Sequence, residues 1–280
     1  MKKSVLISLF AIACFTVEAQ VQTPAPSPAG SVSTTVGLTS IKIDYSRPRA
    51  KGRKIFGTEA SVVVPFGTIW RTGANSGTKI SFADDVKVEG IAVPKGEYLI
   101  FSWPGATEWT ISLYSDLTLG GNVNGYDKTK EVANFKVKSE KLTEKVETLT
   151  FNIGDIADDS KSAKVQLAWE NTSVKFTVTV DYDAKVMKSI EGISGSYFPA
   201  AVYYLETGRD LNQALTWINE AIKSGPPNAF WMTYQKARIQ KALGDKKGAA
   251  ESATASLNSA KEAKNRDYQM MNEDLIKSLK

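Results

Sequence analysis

The hydrophobic pattern of this 280-residue chain changes period once, near Asp183, and that change limits the architectures open to it. Before it, apolar and polar residues alternate. Ile41-Lys42-Ile43-Asp44-Tyr45 is the clearest case, and Lys79 to Phe82, Val86 to Val88, Lys164 to Trp169 and Ser173 to Val180 repeat it. A period of two places successive side chains on opposite faces of a strand. Glu97 to Trp103 and Glu108 to Tyr114 flank Pro104-Gly105-Ala106-Thr107, a hairpin signal; Ala163 to Glu170 and Ser173 to Asp181 flank Asn171-Thr172, a second. Glu147 to Ile153 reads as a further strand. About ten short strands with no helical pattern between them predict an antiparallel β-sandwich or jelly-roll-like domain over residues 31–183.

After Asp183 the spacing is helical, so the fold class is mixed, β then α. Tyr197 to Thr207, Leu211 to Ser224, Asn228 to Leu243, Lys247 to Ala260 and Asp267 to Leu279 read as helices. Asp210 or Asn212, Asn228 and Asp245 are the expected N-caps, and Gly208, Gly225 and Gly244 the expected stops. Gly208 and Gly244 are 36 residues apart, as are Ala214 and Ala250. Tyr197, Ala201, Tyr204, Gly208, Ala214, Ala221 and Pro226 fall where a tetratricopeptide repeat places its bulky, small and terminating residues. Residues 190–280 therefore resemble a short tetratricopeptide-like all-α helical hairpin domain. The alternative is a generic pair of helical hairpins.

The start of the chain reads as an export signal. Lys2 and Lys3 precede an apolar stretch from Ser4 to Val17, too short for a permanent membrane span, and Val17-Glu18-Ala19 supplies a cleavage site. The expectation is a signal peptide over residues 1–19, then an extended proline-rich linker over 20–30, and a periplasmic or extracellular location with no transmembrane segment left after cleavage. Lipidation at Cys14 is the alternative, disfavoured because the apolar run continues past it.

Composition excludes several chemistries. The chain has no histidine, and its single cysteine, Cys14, lies inside the expected signal. A Ser-His-Asp triad, a thiol nucleophile, a disulfide and the usual zinc or copper ligand sets are thereby ruled out for the processed chain. No phosphate loop of the Walker form is present, and no cofactor or metal is expected. Net charge is +5, or +4 without Lys2, Lys3 and Glu18, well short of a nucleic-acid footprint. Oxygen chemistry remains open. Ser76-Gly77-Thr78-Lys79 matches a serine–lysine spacing but runs into a strand, which turns the two side chains apart. Asp155, Asp158 and Asp159 share a polar loop without calcium-loop spacing.

Three clusters stand out. Tyr45 to Gly57 carries Arg47, Arg49, Lys51, Arg53 and Lys54 with no acid between them. Trp70-Arg71-Thr72-Gly73-Ala74-Asn75 follows, then Pro94-Lys95-Gly96-Glu97-Tyr98 and a hairpin ending in Glu108-Trp109. Together, over about Ser31 to Asp181, they resemble the bacterial family known as domain of unknown function 2911. The resemblance implies an exported β-rich domain, sometimes followed by helical repeats, and implies no activity.

Arginine forks beside aromatic rings and an amide suit a small anion or a saccharide. Arg47, Arg53, Trp70, Arg71 and Asn75 are therefore the ligand-binding candidates, with no catalytic residue assigned. The competing reading is structural: Trp70 as core, Arg71 paired with Asp44 or Glu97, and Lys51 to Lys54 as a solvated turn. The function expected is non-enzymatic ligand or protein binding at the cell envelope, with the helical tail as a surface for another envelope protein. The rival is a carboxylate-dependent hydrolase acting on glycans.

Overall fold

The structure is a computed structural model that describes residues 23–191 and 195–280. The expected signal, Cys14 and the first part of the linker lie outside them. The chain divides into two compact units, meeting between Tyr182 and Asp183. The described residues form eleven strands and six α-helices, β then α in chain order.

In the first unit nine strands join one antiparallel sheet in the order β1-β2-β5-β8-β9-β10-β11-β6-β7. They are β1 Ala29–Val36, β2 Thr39–Ser46, β5 Thr78–Phe82, β6 Val86–Val88, β7 Ile91–Val93, β8 Gly96–Trp103, β9 Glu108–Tyr114, β10 Glu131–Gly154 and β11 Ser162–Val180. β3 Phe56–Gly57 and β4 Val64–Pro65 form a separate parallel pair. The sheet folds over on itself through the long strand β10. β10 pairs with β9 over residues 131–138 and with β11 from Ser139 onward. Inward-facing residues of both halves then share one core, including Ile41, Ile43, Ile80, Ile100, Ile111, Phe135, Phe151, Leu167, Phe176 and Val178.

The hairpin expected at 104–107 forms, with β8 and β9 in antiparallel register. The second does not: Asn171-Thr172 lies inside the continuous strand β11. Glu170 adopts φ +54°, and five extra residues of β10 accumulate opposite it between Lys141 and Thr150. The strand therefore bends through a bulge where the sequence suggested reversal. The other face of β8 and β9 holds a small second core of Leu99, Phe101 and Tyr114. It is covered by residues 115–130, a strap of three 3-10 turns whose N-caps Asp116, Asn122 and Asp127 each accept a backbone N–H two residues on.

The second unit comprises α1 Asp183–Glu191, α2 Tyr197–Glu206, α3 Leu211–Ser224, α4 Phe230–Ala242, α5 Lys246–Glu262 and α6 Arg266–Lys277. From α2 onward each helix packs on the next, and α4 also touches α2 and α6. Asp210 and Asp245 cap α3 and α5 through their side chains, and Gly208 and Gly244 sit at positive φ just past α2 and α4. Asn228 is not a cap; it takes φ +58° in the turn before α4, whose N-cap is Ala229. Small buried residues, Ala201, Ala214, Ala237, Ala249 and Ala253, line the helix contacts and let the backbones approach.

Candidate functional site

The Tyr45-to-Gly57 cluster runs along the bulged corner of β10 and β11. There β10 has lost its regular partner, so its backbone groups need another. Residues 48–50 supply it: Leu149 N donates to Pro48 O (3.0 Å), Ala50 N donates to Glu147 O (2.7 Å), and Arg49 bridges Thr148. Lys51 N donates to Glu147 Oε1 (2.6 Å), and Ile55 N to Oε2 of the bent Glu170 (3.2 Å). Lys51 and Gly52 turn the chain at positive φ. Arg53 closes that turn, donating from Nε to Ala50 O (3.0 Å) and from Nη2 to Arg49 O (2.8 Å). Two of its donors are thus spent on its own loop.

The aromatic residues of the clusters point inward. Phe56 meets Trp70, Trp109 and Trp169 edge-on at centroid distances of 5.6, 4.9 and 6.1 Å. Trp70 stacks on Trp169 at 6.0 Å with 19° between planes. All four rings are buried. Trp70 Nε1 donates to Gly73 O (3.1 Å), and its backbone exchanges hydrogen bonds with Ser102. Tyr98 OH donates to Pro94 O (2.7 Å), which fixes the turn into β8. Burial and the nearby Asp85 carboxylate push the Tyr98 phenol above its usual range.

Of the five candidates, three share a neighbourhood. Asn75, at φ +58°, donates from Nδ2 to Ser46 Oγ (3.1 Å) and to Ser27 O (3.3 Å). Arg71 Nη1 donates to Asn75 O (3.1 Å). Arg47 follows Ser46 directly, and its N–H donates to Pro28 O (2.8 Å). Its Nε is buried with no hydrogen-bond partner among the described residues. Gly121 of the strap closes over this turn: a Cβ there would lie 2.3 Å from Asn75 O and 2.9 Å from Arg71 Cδ. Trp70 faces the core and Arg53 its own turn, so neither opens onto that neighbourhood. The carboxylates suggested as partners for Arg71 are engaged elsewhere, Asp44 with Lys42 (2.9 Å) and Glu97 with Lys79 (3.7 Å).

The family model described as "Protein of unknown function (DUF2911)" matches residues 27–178. The chain belongs to this family. No curated protein and no solved structure matches it. The matched segment covers every signature cluster above, and in this DUF2911 chain those clusters meet in the interior: Phe56, Trp70 and Trp109 come from three different ones.

The acidic groups named from sequence are dispersed. Asp155 lies 3.7 Å from Lys175, and Asp159 Oδ1 accepts from Lys161 N (2.9 Å). Among the described residues no group of three or more acids converges as a metal site. In the helical unit a groove of about 630 Å³ crosses one side of the array. Leu205 of α2, Tyr234, Arg238 and Lys241 of α4, and Met271 and Leu275 of α6 line it. Arg238 donates to Glu206 (2.7 Å), and Lys241 to Ser278 Oγ (2.7 Å). No sequence motif marked this groove; the every-second-helix pattern of lining residues was the available signal.

Proposed function

We propose that this chain is an exported, non-enzymatic binding protein of the cell envelope whose helical unit holds a segment of another protein. The observation that carries the reading is the groove across α2, α4 and α6. Leu205, Tyr234, Met271 and Leu275 give it an apolar floor, and Arg238 and Lys241 a polar rim. Met271 is 39% exposed there, and flexible methionines suit a surface that must adapt to a partner. The 36-residue spacing and the helix order support a tetratricopeptide-like array, in which alternate helices line one face. The absence of histidine from the sequence favours recognition over catalysis.

Random-peptide selection on the full chain, followed by calorimetry, tests this. Selected peptides should lose binding in Tyr234→Ala and Lys241→Glu and keep it in Glu251→Lys on α5. Binding that ignores the groove substitutions would end the proposal. Export is tested by sequencing the N-terminus of protein recovered from the periplasm; cleavage after Ala19 or Gln20 is expected.

A second reading has its own support. Arg47 and Arg71 flank Asn75, and the buried Nε of Arg47 is unpaired among the described residues. That arrangement suits a small anion or saccharide. A thermal-shift screen against both classes checks it, because a ligand that binds only the native state raises the melting temperature. A carboxylate-dependent glycan hydrolase requires two facing acids across a cleft, about 5–10 Å apart; release of reducing sugar from envelope glycans would establish that rival.

A further inference from the structure

Among the described residues the only sulfur is in methionine, and these methionines are not alike. Met187 and Met232 are half-buried, and Met232 packs on the core of the helical unit. Met270 and Met271, consecutive on α6, are 54% and 39% exposed. α6 is held in one rotation. Asn272 is buried and donates from Nδ2 to Ser256 Oγ of α5 (2.9 Å), and Leu275 is buried in a cluster with Ala237 and Ala253. With about 3.6 residues to a turn, that register puts Met271, Leu275 and Ser278 on the groove side of the helix and leaves Met270 out of the groove.

We propose that Met271 is a reversible oxidation site that takes an oxygen atom from a hydroperoxide, and that its sulfoxide closes the groove of α2, α4 and α6 to an apolar guest. The inference rests on the groove reading given above. A lone pair of the thioether sulfur attacks one oxygen of hydrogen peroxide. The S–O bond forms as the O–O bond breaks, and the departing hydroxide takes the proton of the transferred oxygen and leaves as water. Sulfur gives up two electrons and the peroxide is reduced. No thiol competes for the oxidant among the described residues, since Cys14 lies outside them.

Met271 shares the groove floor with Leu205, Tyr234 and Leu275. Oxidation turns its flexible apolar side chain into a polar one, so an apolar guest must then cover an S=O group that has lost its water. Arg238 and Lys241 line the same groove and carry only hydrogen-bond donors, which gives the new oxygen partners there. Met270 oxidises beside it without touching the groove. α6 stays docked in both states, because Asn272 and Leu275 hold it and Met271 does not.

Hydrogen peroxide treatment of the full chain in a Cys14→Ser background, followed by peptide mass mapping, is the first measurement. Met270 and Met271 should gain oxygen well before Met187 and Met232. The oxidised chain should keep its far-ultraviolet melt and should bind the groove-selected peptides about tenfold more weakly by calorimetry. Met271→Leu, a swap that conserves volume, should keep its affinity through the same treatment. Met270→Leu should lose affinity as the wild type does, and methionine sulfoxide reductases with dithiothreitol should restore the wild type. Anilinonaphthalene sulfonate, an apolar anion matched to the Arg238 and Lys241 rim, gives a reading that needs no peptide. Its fluorescence should fall on oxidation of the wild type and hold in Met271→Leu. A chain that behaves this way with the dye but selects no peptide refutes the protein guest and supports the oxidation site. Peptides held equally before and after oxidation, a Met271 oxidised no faster than Met232, or an equal loss in Met271→Leu each overturns the proposal.

Discussion

Replacing Phe56 by alanine should cost this protein about 4 kcal/mol, mostly by disconnecting its signature clusters from one another. The ring is 5% exposed and touches three indoles edge-on, at 4.9, 5.6 and 6.1 Å. Truncating a buried phenylalanine costs about 3–5 kcal/mol through lost transfer energy and the cavity left behind. Aromatic pairs add about 0.5–1.5 kcal/mol each, and part of that is already contained in the truncation figure. Collapse around the hole is restrained because Trp70 is tied at Gly73 and Ser102, and the Phe56 backbone by its pairing with Val64. Urea unfolding is the assay. With a slope of about 2 kcal/mol per molar, the midpoint should fall by about 2 M. Near-ultraviolet circular dichroism should lose signal in the native baseline, because the stacked Trp70–Trp169 pair loses the ring that holds its angle. Phe56→Leu should retain about half of the lost stability. A cost below about 1 kcal/mol with an unchanged aromatic spectrum would refute the reasoning, since a ring held by three indoles cannot be removed at the price of a surface residue.

Arg71→Ala should leave stability within about 0.5 kcal/mol, because the side chain is exposed and donates to one nearby carbonyl, Asn75 O; a large fall in melting temperature would make Arg71 a structural residue. Asp210→Ala removes an acceptor bonded to the N–H groups of Asn212 (2.9 Å) and Gln213 (3.1 Å), and should destabilise the helical unit by about 1 kcal/mol in far-ultraviolet melts, with Asp210→Asn close to wild type. The strap over β8 and β9 should loosen in acid. Hydrogen bonds from the Thr118 side chain and backbone hold Asp116 below its ordinary 3.8, and the Thr129 backbone and side chain do the same for Asp127. A carboxylate depressed in the folded state adds stability above its unfolded value and loses it as pH falls through the folded one. Protection of the Thr118 and Thr129 amides, relative to an unstructured peptide at the same pH, should therefore fall below about pH 4, and a flat protection profile there would contradict the assignment.

Where one face of a strand is dry and the other wet, the sequence announced it. β2, β5 and the helices α2 to α6 show as periodicity, whereas β8 and β9, buried on both faces, show as the two arms of the hairpin at 104–107. β10 is read only from Glu147: Ala133, Phe135 and Val137 alternate with exposed neighbours, but the charged, largely exposed stretch from Glu140 to Glu147 breaks the pattern and hides the continuous strand. α1 was missed for a similar reason; it buries no residue. Asn171-Thr172 imitated a turn because bulge-forming and turn-forming residues share small polar side chains, and only the excess length of β10 distinguishes them. In the candidate site, neighbours at a bridge point opposite ways, which separates Trp70 in the core from Arg71 in solvent. The role of Arg53 was hidden, since nothing in its spacing shows that two carbonyls of its own turn lie within reach.

β10 is a member of both halves of the folded sheet, pairing with β9 in one and with β11 in the other, and this has a mechanical result. Most two-layer folds resist sliding of one layer over the other through side-chain friction alone. Here one unbroken strand, β10, crosses from layer to layer, so part of a sideways load is borne by covalent bonds. The halves of the β unit must deform as one elastic body and come apart in a single step.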